Sequence, residues 1–332
     1  MAIIQGISGA FMEDGNGGKI ALDIQKGILR ILAHSGISYM TATIGDRRQV
    51  QAGSVSYQVP EIMQAEDYGD GTTDFQNIRS GIIDIQINTR RTVKYAYEQF
   101  DYARLGFFEG VIGVISNSVA KTIQNDLNAH FWSTLVSKFE LTTGELRTQN
   151  LTLPEILPDL DDISNYTIPD ADDVRAAIAK IQLLTTKLSK TFDMKILGLD
   201  KAEFMVFLAP EADANIRSAY WNQPNSLGER VIADNLVGYK LGGGIYYYLD
   251  PMLNNKITAG TSFSKDKDLD TSGFIGFIVH NEAVAMPFNL NTVIPTINPT
   301  TGNPQFICKY QFGIGFLRTN LVYSITKTAP TT

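Results

Sequence analysis

Apolar residues at helical spacing mark three amphipathic segments. From Lys19 to His34, the residues Ile24, Ile28, Ile31 and Leu32 share one side of a helix, and Gly36 stands where that helix would end. From Phe107 to about Lys138, the residues Ile112, Ile115, Val119, Ile123, Leu127, Phe131 and Leu135 form a continuous stripe. At 1.5 Å per residue this predicts a helix roughly 45 to 50 Å long, beyond the globular norm. Gly110 and Gly113 near its start each cost on the order of 1 kcal/mol relative to Ala and are natural places for a bend. The third segment opens at Asp170, a residue suited to the N-cap, with Asp172 and Asp173 at the positive end of the dipole. Its predicted buried stripe is Val174, Ile178, Ile181, Leu184 and Leu188.

Alternation at period two predicts the strands. Val55, Tyr57 and Val59 alternate with Ser54, Ser56 and Gln58 before Pro60 closes the run. Residues 82–97 read as one strand, with Ile83, Ile85 and Ile87 on one face and Val93, Tyr95 and Tyr97 continuing after a polar step. Such a strand exceeds the usual ~5 or 6 residues. Phe204 to Leu208, Ile245 to Leu249 and Phe274 to Val279 are shorter apolar runs, and a brief helix starts at Pro210 and reaches about Ala219. A last strand pair is expected from Phe306 to Ile325, where Phe306, Cys308, Tyr310, Phe312, Ile314 and Phe316 alternate with smaller or polar residues. Helices and strands mix without a regular βαβ repeat, which predicts an α+β fold.

The segments between these elements differ in kind. Gly15, Gly17 and Gly18 lie in an opening stretch that reads as a flexible arm. Residues 41–80 form a long hairpin-like excursion whose tip carries Glu61, Glu66, Asp67, Asp70 and Asp74, with no Lys or Arg between Gln49 and Ile78. That tip is too polar to build a core, so it is either mobile or held by another molecule. Thr142 to Pro169, with Pro154 and Pro158, reads as a connection between two regions.

Composition narrows the function classes. At 332 residues, 44% hydrophobic and 19% charged, the chain can bury a real core. It has no apolar run long enough to span a bilayer and no signal-peptide pattern at its start, so a soluble, unexported protein is expected, with no membrane partner. The single Cys308 excludes an intrachain disulfide and fits a reducing compartment. A net charge of −7 argues against a broad nucleic-acid-gripping face, since that affinity comes mainly from Lys and Arg displacing counterions.

Motifs for catalysis are missing. Asp266, Asp268 and Asp270 alternate as at the start of a calcium loop, but Gly273 comes too late and Phe277 stands where a bidentate Glu is required. His34, His130 and His280 have no metal-ligand spacing, and His130 beside Phe131 and Trp132 is expected to pack on the long helix. Gly242, Gly243 and Gly244 lack the Lys-Ser/Thr of a phosphate loop and read as a turn, and there is no nucleophile elbow. No catalytic residue, cofactor or metal is assigned.

The order of elements, supported by four local phrases, resembles the major capsid proteins of tailed bacteriophages with the Hong Kong 97 fold. The phrases are Gly81 to Ile87 leading into Val111 to Trp132, then Phe204 to Pro210, Val237 to Leu241, and Tyr310 to Gly315. The resemblance extends from about Lys19 to Lys327. It implies an N-terminal arm over 1–40, an E-loop over 41–80, a P-domain over 81–150 and 290–332, and an A-domain over 151–289. It also implies a virion subunit, assembled in the bacterial host cytoplasm, whose hexamers and pentamers enclose double-stranded DNA, with each E-loop lying over a neighbour's P-domain. The implied partners are further copies of the chain, a portal protein, possible decoration proteins, and DNA through weak non-specific contact. Because the arm starts at Met1 and is short, a separate scaffolding protein is expected.

On this reading Glu61, Glu66, Asp67, Asp70 and Asp74 of one copy pair with Arg90, Arg91 and Lys94 of the next, setting register more than strength. The alternative is a solvated loop beside a solvated strand. The excursion has no Lys from Met40 to Gly81, so the Lys–Asn cross-link of one family member is not expected. Two other readings stay open: an encapsulin-like compartment with the same fold, and a soluble α+β enzyme with a convergent polar pocket.

Overall fold

The computed structural model describes residues 16–33, 53–59, 81–96, 108–156, 170–191, 204–221, 230–233, 236–240, 245–258, 268–300 and 304–328. The tip of the excursion, the first fifteen residues, His34, Asp266 and the Gly242–Gly244 turn lie outside them.

Among the described residues, four helices carry the frame: α1 (Asn16–Ala33), α2 (Phe108–Phe139), α3 (Ala171–Leu188) and α4 (Pro210–Trp221). The long stripe predicted for α2 is real, with Ile115, Val119, Ile123, Leu127, Phe131 and Leu135 all buried. α1 lays Ala21, Ile24, Ile28 and Leu32 into the same core, and the Ser116 hydroxyl of α2 reaches its Ile24 carbonyl at 3.5 Å. Asp170 caps α3 as expected, accepting the Asp172 N–H at 2.8 Å. Leu184 is only half-buried, and Thr185 occupies the stripe in its place, turning its hydroxyl back to the Ile181 carbonyl. No helix among the described residues is long and apolar enough to cross a membrane.

A seven-stranded mixed sheet forms the larger layer. It comprises β4 (Asn150–Thr152), β5 (Phe204–Leu208), β6 (Arg230–Ala233), β7 (Leu236–Lys240), β8 (Tyr246–Leu249), β11 (Phe274–His280) and β16 (Val322–Thr326), in the order β4-β16-β11-β5-β8-β7-β6. Only β16/β4 and β5/β8 run parallel. β5 and β11 are buried at every residue, which explains their unbroken apolar runs. Against them packs the C-terminal half of α2. Trp132 lies 5.3 Å from Phe207 and 5.4 Å from Phe277, ring centre to ring centre, and Phe139 meets Phe277 at 5.8 Å. This mixture of antiparallel and isolated parallel pairings, with helices packed against it, is the α+β class that the pattern predicted.

The predicted strand over 82–97 is two strands in two sheets. β2 (Gly81–Gln86) pairs antiparallel with β1 (Ser54–Val59), whereas β3 (Thr89–Ala96) pairs with β14 (Pro304–Phe312). The break falls at Ile87, which is buried and gives its N–H to the Gly53 carbonyl at 2.8 Å. Alternation continues across the break, so the sequence pattern does not reveal it.

The expected final strand pair also divides. β14 joins β13 (Phe288–Ile297) and β3 in a three-stranded sheet of order β13-β14-β3, while β16 belongs to the seven-stranded sheet. Between them Gly313 and Ile314 lead into β15 (Gly315–Phe316), which pairs with β12 (Val284–Ala285). The short strands β9 (Lys256–Ile257) and β10 (Leu269–Asp270) form a separate hairpin-like pair.

Candidate self-association surface

The three-stranded sheet has two chemically opposite faces. Its inner face carries Phe306, Cys308, Tyr310 and Phe312 of β14 with Phe288, Leu290 and Val293 of β13, all buried. Burial pushes the Cys308 thiol up to about 12, so it stays protonated and inert. Arg91, Val93 and Tyr95 of β3 share this face, half-buried.

Arg91 is engaged within its own chain. Its Nε lies 3.7 Å from Asp126 Oδ2 of α2, and its guanidinium is 3.2 Å from His130 Nε2. The Tyr310 hydroxyl donates to Asp126 Oδ2 at 2.8 Å, and His130 Nε2 lies 3.8 Å from Asp126 Oδ1. Burial, reinforced by the Asp126 charge, raises the Tyr310 phenol well above its usual range, so it remains a donor. This polar knot joins the long helix to two strands of the sheet, and His130 completes it edge-on to Phe312 at 5.0 Å.

The outer face is cationic. Arg90, Thr92, Lys94 and Ala96 are exposed, alternating with the inner set. The register sets Arg90 opposite Gln311, Thr92 opposite Lys309, and Lys94 opposite Ile307. Ile307 in turn lies opposite Ile294 of β13. Lys309 is exposed and diagonal to both Arg90 and Lys94. Among the described residues of this face there are three cations, two aliphatic side chains in one row and no carboxylate. β3 is also the sheet's edge, so a row of backbone groups is presented along it.

Of the cations predicted from sequence, Arg90 and Lys94 therefore share the exposed face, while Arg91 points the other way. Glu61, Glu66, Asp67, Asp70 and Asp74 lie outside the described residues. Lys309 escaped the sequence reading because only strand register brings it beside Arg90 and Lys94. The alternation along β14 already placed it opposite the apolar set.

The ribbon β1/β2 that carries the acidic excursion is anchored at its root. Val55, Ile85 and Ile87 are buried there, whereas Tyr57 and Ile83, farther out on the same face, are only half-covered. The root rests on two glycines. A Cβ at Gly313 would lie 2.2 Å from the Gln86 carbonyl oxygen, and one at Gly315 would lie 2.6 Å from Ile85 Cγ1. Elsewhere, Asp270 pairs with Lys256 at 3.2 Å, and no cluster of three metal-binding side chains occurs among the described residues.

No family model matches the sequence, and no curated protein is similar to it at the sequence level. Solved structures are similar in fold. A capsid chain of the cyanophage P-SCSP1u superposes with a TM-score of 0.50 at 12% identity, over 82% of this chain and 83% of that one. This is the Hong Kong 97-like capsid fold. Chains from the mature capsid of bacteriophage PhiM1 (TM-score 0.49, 11% identity, 84% of this chain and 83% of that one covered) and from a virus-like particle of Pyrococcus furiosus (0.45, 8%, 93% and 98%) are also similar to it. In the Hong Kong 97-like fold observed here, α2 is the long element that both sheets share.

Proposed function

We propose that the chain is a major capsid protein of a tailed bacteriophage, a non-enzymatic subunit that assembles with its own copies into hexamers and pentamers of an icosahedral head. The carrying observation is the cationic face of Arg90, Lys94 and Lys309, with no carboxylate among its described residues, in a chain whose 49–78 segment is rich in carboxylates and has no Lys or Arg. A second copy offers a complement to each. The acidic excursion of one copy, with Glu61, Glu66, Asp67, Asp70 and Asp74, lies across the outer sheet face of the next. Ile294 and Ile307 add an apolar contact there. Arg91 contributes indirectly, by holding β3 to α2.

Exposed ion pairs contribute only ~0 to 1 kcal/mol each, so this pairing selects the register of association more than its strength. The arm, E-loop, P-domain and A-domain partition, the packaged DNA, the portal, a separate scaffolding protein and decoration proteins belong to the same proposal.

Particle sizing and electron microscopy of the purified full chain test it. Closed shells or capsomer-sized rings are expected. A monomer or small oligomer that persists at high concentration, with and without co-expressed assembly partners, rules the proposal out. Particles filled with a cargo enzyme in place of DNA would favour the compartment reading.

A further inference from the structure

His130 sits in the polar knot between α2 and the three-stranded sheet, with its side chain only 12% exposed. A guanidinium nitrogen of Arg91 lies 3.2 Å from its Nε2. A guanidinium can only donate, so Nε2 must present its lone pair, and the ring is neutral with its proton on Nδ1. Asp126, one turn earlier on α2, offers Nε2 a second partner. Its Oδ2 already accepts from Tyr310, whereas Oδ1 takes no hydrogen bond among the described residues and lies 3.8 Å from Nε2. A proton added at Nε2 therefore has one favourable direction. Toward Arg91 it sets N–H against N–H and cation against cation, whereas toward Asp126 a ring movement of about 1 Å gains a charge-assisted bond. The other titratable groups described on this face, Tyr310 and Cys308 of β14, stay protonated, which leaves the imidazole to change charge between pH 5 and 8.

We propose that His130 is an acid-operated latch on β3: neutral, it accepts from Arg91 and ties the edge strand to α2; protonated, it turns to Asp126 Oδ1 and releases Arg91. The position of β3 makes this release consequential. It is the edge of its sheet, and its inward residues Arg91, Val93 and Tyr95 are only half-buried, whereas Phe306, Cys308, Tyr310 and Phe312 of the neighbouring β14 are buried. Less apolar burial holds the edge, so the Arg91 contact carries more of its attachment. Loosening β3 displaces Arg90 and Lys94 relative to Lys309, and acid thereby weakens the candidate self-association surface. That last step alone rests on the capsid reading.

Hydrogen exchange of the purified full chain reads the latch, once each rate is corrected for the intrinsic pH dependence of exchange. Protection of residues 89–96 should fall about tenfold from pH 7.5 to pH 5, the factor for losing one hydrogen bond to a charged group, while β5 and β11 keep theirs. His130→Gln, whose amide oxygen still accepts from Arg91 but takes no proton in this range, should abolish the fall. Unchanged protection of 89–96 in the parent overturns the proposal, and so does a fall that persists in His130→Gln. Imidazole nitrogen chemical shifts of the parent give a second reading that does not depend on the variant folding. At pH 7.5 the neutral ring of His130 should carry its proton on Nδ1, and a proton found on Nε2 there sinks the latch. Each reading concerns the single chain, so the latch and the capsid proposal can fail separately.

Discussion

Trp132 and Asp250 tie the long helix to the large sheet: the indole Nε1–H donates to the Asp250 carboxylate at 2.8 Å, deep in the protein. Asp250 follows β8 directly, and its other oxygen accepts the Met252 N–H at 2.9 Å. Burial outweighs these two bonds and raises the carboxyl from 3.8 to about 6. Because the folded value lies above the unfolded one, this group opposes folding only where it must ionise. The penalty is absent below about pH 4, grows to about pH 6 and is constant above that, at most ~3 kcal/mol from 1.36 kcal/mol per unit. The stability of Asp250→Asn relative to the parent should therefore improve by up to that amount between pH 4 and pH 8, read from urea midpoints of the unassembled chain. Parallel profiles for the two proteins would refute it.

Arg90 and Arg91 are neighbours with opposite roles. Arg90→Glu and Lys94→Glu should leave the melting temperature of the unassembled chain nearly unchanged while lowering shell yield, and adding Lys309→Glu should lower it further. Arg91→Glu sets a second carboxylate against Asp126 and should destabilise the chain itself by roughly 2 to 4 kcal/mol. Equal thermal shifts for Arg90→Glu and Arg91→Glu would contradict the two-faced sheet.

Tyr310→Phe removes the donor to Asp126 and leaves a buried carboxylate oxygen with one partner fewer. A loss of about 1 to 3 kcal/mol is expected in denaturant unfolding. Asp126→Asn together with Tyr310→Phe should cost less than the sum of the two single changes, since both touch the same bond.

Gly313→Ala and Gly315→Ala each drive a methyl group into the ribbon root, at the Gln86 carbonyl and the Ile85 side chain respectively. A cost of about 1 to 3 kcal/mol is expected, with faster hydrogen exchange confined to residues 54–59 and 81–86. Unchanged exchange in those strands would show that the root does not rest on the glycines.

Much of the fold was legible because local pattern and burial agree. The α2 stripe, the Asp170 cap, the buried run at Phe204–Leu208 and the alternation along β14 all appear where sequence periodicity placed them. What failed to show was partnership. The sequence reading of 82–97 as one strand and of 306–325 as a pair missed that the first stretch divides between two sheets and the second among three, since a period-two pattern records which face a side chain takes and not which strand lies beside it.

The same limit governs the candidate surface. The sequence by itself determined the segregation of charge, with carboxylates gathered in 49–78 and cations in 90–94, because charge is a property of each residue alone. Tertiary structure decided which cations act together. Register brought Lys309 between Arg90 and Lys94, and the strand's alternation turned Arg91 inward to Asp126. Such groupings depend on the distance between residues far apart in the chain, and only the packed strands supply that distance.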